Sequence, residues 1–150
     1  MINYGRRAED RRGVASEYHR SRVMSSTPTE LIVMLYEQLL ADLKGGAMAI
    51  RSGDLEAKAV RLARANDVIF ELLGSLDRER GGEVSERLAA LYAYMISRVG
   101  EASRRLDASA LDEVAEHVES LLSAWRTVSQ EQKQQARGEG LDTSAQVHPR

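Results

Sequence analysis

An all-α fold is what this 150-residue chain predicts: an antiparallel up-down four-helix bundle with a flexible N-terminal arm and a disordered C-terminal tail. Three observations point there. Apolar residues recur at steps of three and four in four separate stretches. The links between those stretches are short, and short links favour antiparallel neighbours. The two prolines, Pro28 and Pro149, leave the whole middle of the chain free to be helical. The expected division is an arm over residues 1–24, a bundle domain over 25–130 and a tail over 131–150.

The arm, through Arg22, is polar and without sustained periodicity. It carries Arg6, Arg7, Arg11, Arg12, Arg20 and Arg22 against Glu9, Asp10 and Glu17, with Tyr4 and Tyr18 among them. Such an end frays unless it is tied down. Tyr18, Val23 and Met24 are apolar enough to lie on a bundle surface and leave it again, so this part of the arm is a candidate lid.

The first helix is expected over 28–52. Thr27 and Glu30 have the spacing of a capping box, and Pro28 falls at the first helical position, where its missing N–H costs nothing. Leu31, Ile32, Leu35, Leu39 and Leu43 follow at helical spacing, with Met34 and Tyr36 alongside. The stripe is broad enough to pack on more than one neighbour. Gly45-Gly46 weakens the helix by about 1 kcal/mol per glycine relative to alanine, yet Ala47, Met48 and Ile50 resume the pattern. A missing Cβ there lets another backbone come close. Gly53 suits the left-handed position after the helix.

Asp54 is a good N-cap for a second helix over 55–78, whose apolar face is Leu55, Leu62, Ile69, Leu72, Leu73 and Leu76. Arg80-Gly81-Gly82 reads as the next turn. A third helix over 83–105 carries Val84, Leu88, Leu91, Tyr92, Met95, Ile96 and Val99, with Tyr94 off that stripe. A fourth begins near residues 107–109, with Ser109 and Asp112 as a second capping pair, and carries Leu111, Val114, Val118, Leu121, Leu122, Trp125 and Val128. From Gln130 the pattern ends, and the remainder is expected to be disordered.

Composition narrows the chemistry. The chain is 43% hydrophobic and 29% charged, with a formal net charge of −2, which gives no bulk drive towards nucleic acid or an anionic membrane. There is no cysteine, which excludes disulfides and thiolate sites. No apolar run approaches the ~20 residues that span a bilayer, and the N-terminus lacks the apolar core of a signal peptide, so a cytoplasmic protein without membrane insertion is expected. Of the three histidines, His19 and His148 lie near the ends, and His117 stands one turn from Glu113, the spacing of a helix-surface ion pair. No phosphate loop, dinucleotide fingerprint or paired Glu-x-x-His set is present. No enzyme activity, cofactor or metal is expected.

Taken together, certain segments resemble the flagellin export chaperones, the FliS family. They are Tyr18; Thr27-Pro28; Leu31-Ile32-Val33-Met34-Leu35-Tyr36-Glu37; Ser75-Leu76-Asp77; Gly81-Gly82-Glu83; Leu88-Ala89-Ala90-Leu91-Tyr92-Ala93-Tyr94-Met95; and Ala124-Trp125. The resemblance spans residues 18–128 in order. Gly45-Gly46 and the long arginine-rich start depart from it. It implies a cytoplasmic chaperone that binds the C-terminal segment of flagellin, prevents premature polymerisation and keeps the client competent for the flagellar export gate.

On that implication, Tyr18, Val23, Tyr36, Leu39, Leu72, Leu76, Tyr92, Tyr94 and Met95 are the candidate partner-binding residues, because tyrosine can bury a ring while its hydroxyl stays wet. Tyr94, off the core stripe, is the foremost of them. Two other function classes stand beside this one. A nucleic-acid-binding helical protein would use the arginine-rich arm, and a structural homo-oligomer would need no client.

Overall fold

The computed structural model describes residue 17 and residues 19–146, with side chains through residue 140. The expectations for Tyr18 and for the arm before residue 17 lie outside the described residues. Residues 19–25 are helical and precede four long helices, α1 over Pro28–Ser52, α2 over Leu55–Gly74, α3 over Arg78–Arg105 and α4 over Ala108–Gln146.

The first connection follows its local sequence. The Thr27 hydroxyl accepts the Glu30 N–H at 3.2 Å, and Pro28 sits in the first turn. The Glu30 carboxylate lies 3.5 Å from Lys133 Nζ instead of completing a capping box. α1 passes through Gly45-Gly46 unbroken. A Cβ on Gly46 would stand 2.6 Å from Leu62 Cδ2, so the bare glycine is what lets α2 close on α1. Gly53 ends the helix at φ 75°, and the Asp54 carboxylate accepts the Ala57 N–H at 3.0 Å to start α2.

The second connection differs from expectation. α2 stops at Gly74, short of residue 78; the helical geometry does break at Gly82, as expected, but a helical turn over residues 78–81 precedes that break. The Ser75 hydroxyl donates to the Leu72 carbonyl at 2.8 Å, and Asp77 caps a new helix by accepting the Arg80 N–H at 3.1 Å. α3 therefore starts one turn before the glycines and kinks at Gly82, φ 52° and ψ −126°. The reason is local: Asp77 supplies the side-chain acceptor that an N-terminus needs, and the Arg-Gly-Gly stretch has none.

At the third link Leu106 takes a left-handed φ of 54°, and Asp107 accepts the N–H groups of Ser109 and Ala110 at 3.1 and 3.3 Å. The cap is Asp107, not Ser109, and Asp112 pairs with Arg51 at 2.5 Å. The tail expected to be disordered from residue 131 is helical through Gln146. Gln, Glu, Lys, Ala and Arg are good helix formers, and no proline interrupts them before Pro149. Residues 131–140 are nonetheless exposed, so this part of α4 runs on past the core.

The four helices close a ring in which α1 packs on α2 and α4, and α3 packs on α2 and α4. Leu39, Leu43, Ile69, Leu72, Met95, Val99, Leu111, Val114 and Val118 fill the centre. The α1 stripe is turned slightly from the expected one: Val33, Tyr36, Leu39 and Leu43 face inward, while Leu31, Ile32 and Leu35 are half-buried, Ile32 and Leu35 packing on the edge of the core. One charged group is fully enclosed. Asp42 accepts from Arg61 at 3.1 Å and from Gln38 at 2.9 Å, which satisfies a carboxylate that would otherwise be costly to bury. No helix among the described residues is long and apolar enough to cross a membrane.

Candidate functional site

An open trough of about 610 Å3 lies where the start of α1, the end of α2, the start of α3 and Trp125 of α4 converge. Half-buried Ile32, Leu76, Leu88 and Trp125 supply its apolar surface over the buried Leu72 and Tyr92, with Val84 on the rim and 66% exposed. Thr29, Ser75, Asp77 and Arg80 give it a polar edge. An apolar floor with a polar rim suits an amphipathic helix.

The floor is held by contacts between helices. The Tyr36 and Tyr92 hydroxyls bond to each other, and the Tyr36 ring stacks on Trp125 with centroids 6.5 Å apart and planes at 28°. Burial pushes both phenols above their ordinary pKa. For Tyr36, bonds from Tyr92 and Trp125 oppose the rise; for Tyr92, the bond to Tyr36 adds to it. The bond between the two hydroxyls keeps these buried polar groups paired beneath the trough.

A second cleft, about 600 Å3, runs between helical residues 19–25 and α1. Val23 lines it opposite Leu31, Met34 and Leu35, and Arg22 Nη2 stands 3.9 Å from Glu37. The described arm residues thus lie beside α1, and none of them lines the trough.

The candidate residues fall into separate places. Leu72, Leu76 and Tyr92 meet in the trough. Tyr36 lies beneath it, fully enclosed, and Leu39 and Met95 are core residues with no exposed surface. Their positions fall at the centre of the helix faces that the bundle closes over, which spacing alone does not distinguish from the edge. Val23 belongs to the arm cleft. Tyr94 is 43% exposed on the seam between α3 and α4. Its hydroxyl donates to Glu113, whose other oxygen accepts from Arg98 Nε at 3.1 Å and Nη2 at 2.8 Å. The bonds from Tyr94 and then Arg98 hold the Glu113 carboxyl below its usual range. His117 meets the Tyr94 ring edge-on, so Glu113 is engaged by Tyr94 and Arg98 where an ion pair with His117 was expected.

Ile32, Leu88, Arg80 and Trp125 line the trough and were absent from the expected site. Trp125, the single tryptophan, was a usable signal, since a large ring at the end of an apolar stripe has room only where the bundle opens. Among the described residues no group of three His, Cys, Asp or Glu gathers as a metal site would need.

Comparison with known proteins bears on the family and the fold. A family model described as flagellar protein FliS matches residues 11–132. The flagellar secretion chaperone FliS of Salmonella typhimurium is 37% identical over 110 residues, 73% of this chain and 82% of that protein. That of Bacillus subtilis is 33% identical over 123 residues, 82% of this chain and 91% of its own. A solved structure titled as a flagellar chaperone from bacteria superposes with a TM-score of 0.66 over 79% of this chain and 97% of its own, at 14% identity, which speaks to the fold.

Proposed function

Because this chain belongs to the FliS family, we propose that it binds the C-terminal segment of flagellin in the cytoplasm, holds it back from polymerising and keeps it ready for the flagellar export gate. The observation that carries the reading is the open apolar trough at one end of the bundle, with half-buried Ile32, Leu76, Leu88 and Trp125 on its surface over the buried Leu72 and Tyr92. A disordered client segment that folds onto it incurs an ordering cost, which buried apolar surface must exceed. At ~25 cal/mol per Å2, ~1,000 Å2 of apolar burial contributes about 25 kcal/mol before that cost. The client helix supplies anchors at i, i+3 or i+4, and i+7. While those anchors are seated they are withheld from other client copies, so polymerisation is blocked by competition and no bond is made or broken. Tyr94 takes part only for a client long enough to extend onto the α3–α4 seam.

The test is calorimetry with a peptide of the flagellin C-terminal segment. We expect one-to-one binding with a negative heat-capacity change, weakened at least about tenfold by Leu88→Ser, since a buried leucine is worth ~2 kcal/mol or more. No heat from the peptide, together with nucleic-acid binding that falls steeply with salt or a stable homo-oligomer, would favour one of the other two classes and end this reading.

A further inference from the structure

One wall of the trough is not a plain helix. The Asp77 carbonyl accepts twice, from the Gly81 N–H at 2.8 Å and from the Ser85 hydroxyl at 2.9 Å. Ser85 is 6% exposed, so this hydroxyl is a buried polar group held in one place. A Cβ on Gly81 would stand 1.7 Å from Ser85 Oγ; only glycine at 81 leaves room for the bond. Between them Gly82 takes φ 52° and ψ −126°, backbone that residues with a Cβ rarely adopt.

None of this is needed to join α2 to α3. α2 has already ended at Gly74, and Asp77 has already started a helix that could run straight on. The kink lays the turn of residues 78–81 at an angle to the rest of α3, and Asp77, Arg80, Gly81, Val84 and Ser85 all line the trough. We infer that residues 77–85 form a latched lip that sets the width of the trough, with Ser85 as the positioning residue that holds it shut. The inference rests on the reading that the trough seats a client helix. Ser85 acts through the Asp77 carbonyl: without its hydroxyl that carbonyl keeps only the Gly81 bond, the kink loses its tie, and the wall moves away from whichever client anchor is packed against it. The lip is therefore a specificity device, acting on one anchor and not on all.

The full chain is tested with the same flagellin C-terminal peptide, at room temperature, with helical content checked by circular dichroism. Ser85→Ala is expected to stay folded and to bind about tenfold more weakly, the effect of one lost positioning bond. Ser85→Thr, which keeps the hydroxyl, is expected to restore affinity to within about twofold, a change of ~0.4 kcal/mol. In a series of peptides with single large anchors cut to alanine, one anchor is expected to lose its importance in Ser85→Ala, while the others keep theirs. Ser85→Ala binding as tightly as wild type would overturn the latch, as would a loss of affinity spread evenly over every anchor or one that Ser85→Thr does not repair. A wild-type chain that binds no peptide removes the trough reading itself, and the latch with it; that result is read before any variant is made.

Discussion

At the scale of single residues, the Tyr36–Tyr92 hydroxyl pair joins stability to function. Both tyrosines stood out in the sequence as rings with a polar handle, and periodicity placed each on an inward face. It could not show that the two handles meet, because they are far apart in the chain and on different helices. Removing one hydroxyl leaves the other buried without that partner, so Tyr92→Phe is expected to cost about 1–3 kcal/mol by urea unfolding. Removing both takes away the orphan, and Tyr36→Phe with Tyr92→Phe should cost less than the two single changes added together. The pair also sets an alkaline limit. In the folded chain both phenols titrate above their ordinary value of 10.0. The unfolded chain then releases protons first, so their contribution is intact below about pH 10 and declines as pH rises beyond it, by up to ~1.4 kcal/mol per unit for each tyrosine. Urea midpoints measured across that window should fall with pH, and fall less steeply in the double phenylalanine chain. A flat profile would mean the phenols ionise as readily folded as unfolded.

At the scale of elements, what was legible was whatever a few neighbouring residues decide. Thr27, Gly53 and Asp54 bound their helices as expected, since a cap needs only its own turn. The start of α3 lies one turn before the expected one because two acceptable signals compete there, a glycine pair and an aspartate. The aspartate prevails by satisfying an N–H that the glycines leave bare. Gly45-Gly46 shows the same limit from the other side. Spacing said that a close approach was plausible, and only the packed bundle says to what. At Gly46 the neighbour is the branched end of Leu62, itself buried, whereas at Gly45 it is the Arg61 guanidinium region, the far end of a flexible chain. Gly46→Ala gains about 1 kcal/mol of helix propensity but forces Leu62 out of a packed core, an overpacking cost of about 1–3 kcal/mol. We expect a net loss of up to about 2 kcal/mol. Gly45→Ala should be near neutral, because Arg61 can shift while keeping its bond to Asp42. Thermal or urea unfolding of the two variants side by side checks the order; equal effects would mean that Leu62 is not what fixes the α1–α2 distance.

At the scale of the whole molecule, the bundle is closed along its middle and open at one end, and the polar end of α4 projects past the core. The trough is made by residues at the tips of three helices and by Trp125. That is why the sequence stripes, which describe the middles, pointed to Leu39 and Met95 that the core encloses. The tail differs from expectation for a related reason: a stretch without an apolar face need not lack helix, because a helix nucleated in the bundle need only be propagated, and propagation is far cheaper than nucleation. It follows that the projecting part of α4 depends on the bundle while the bundle does not depend on it. Its residues 131–140 are exposed, and Lys133 reaches Glu30 of α1 with the two side chains 60% and 28% exposed. Such a pair is worth about 0–1 kcal/mol. A chain ending after Gln130 is therefore expected to keep its urea midpoint to within about that margin, to lose far-UV helical signal in proportion to the residues removed, and to bind the flagellin peptide as before, since every trough residue precedes the cut. A loss of several kcal/mol would show that the extension packs on the bundle after all. An unchanged midpoint with weakened peptide binding would place part of the client surface on α4 beyond Trp125, outside the trough.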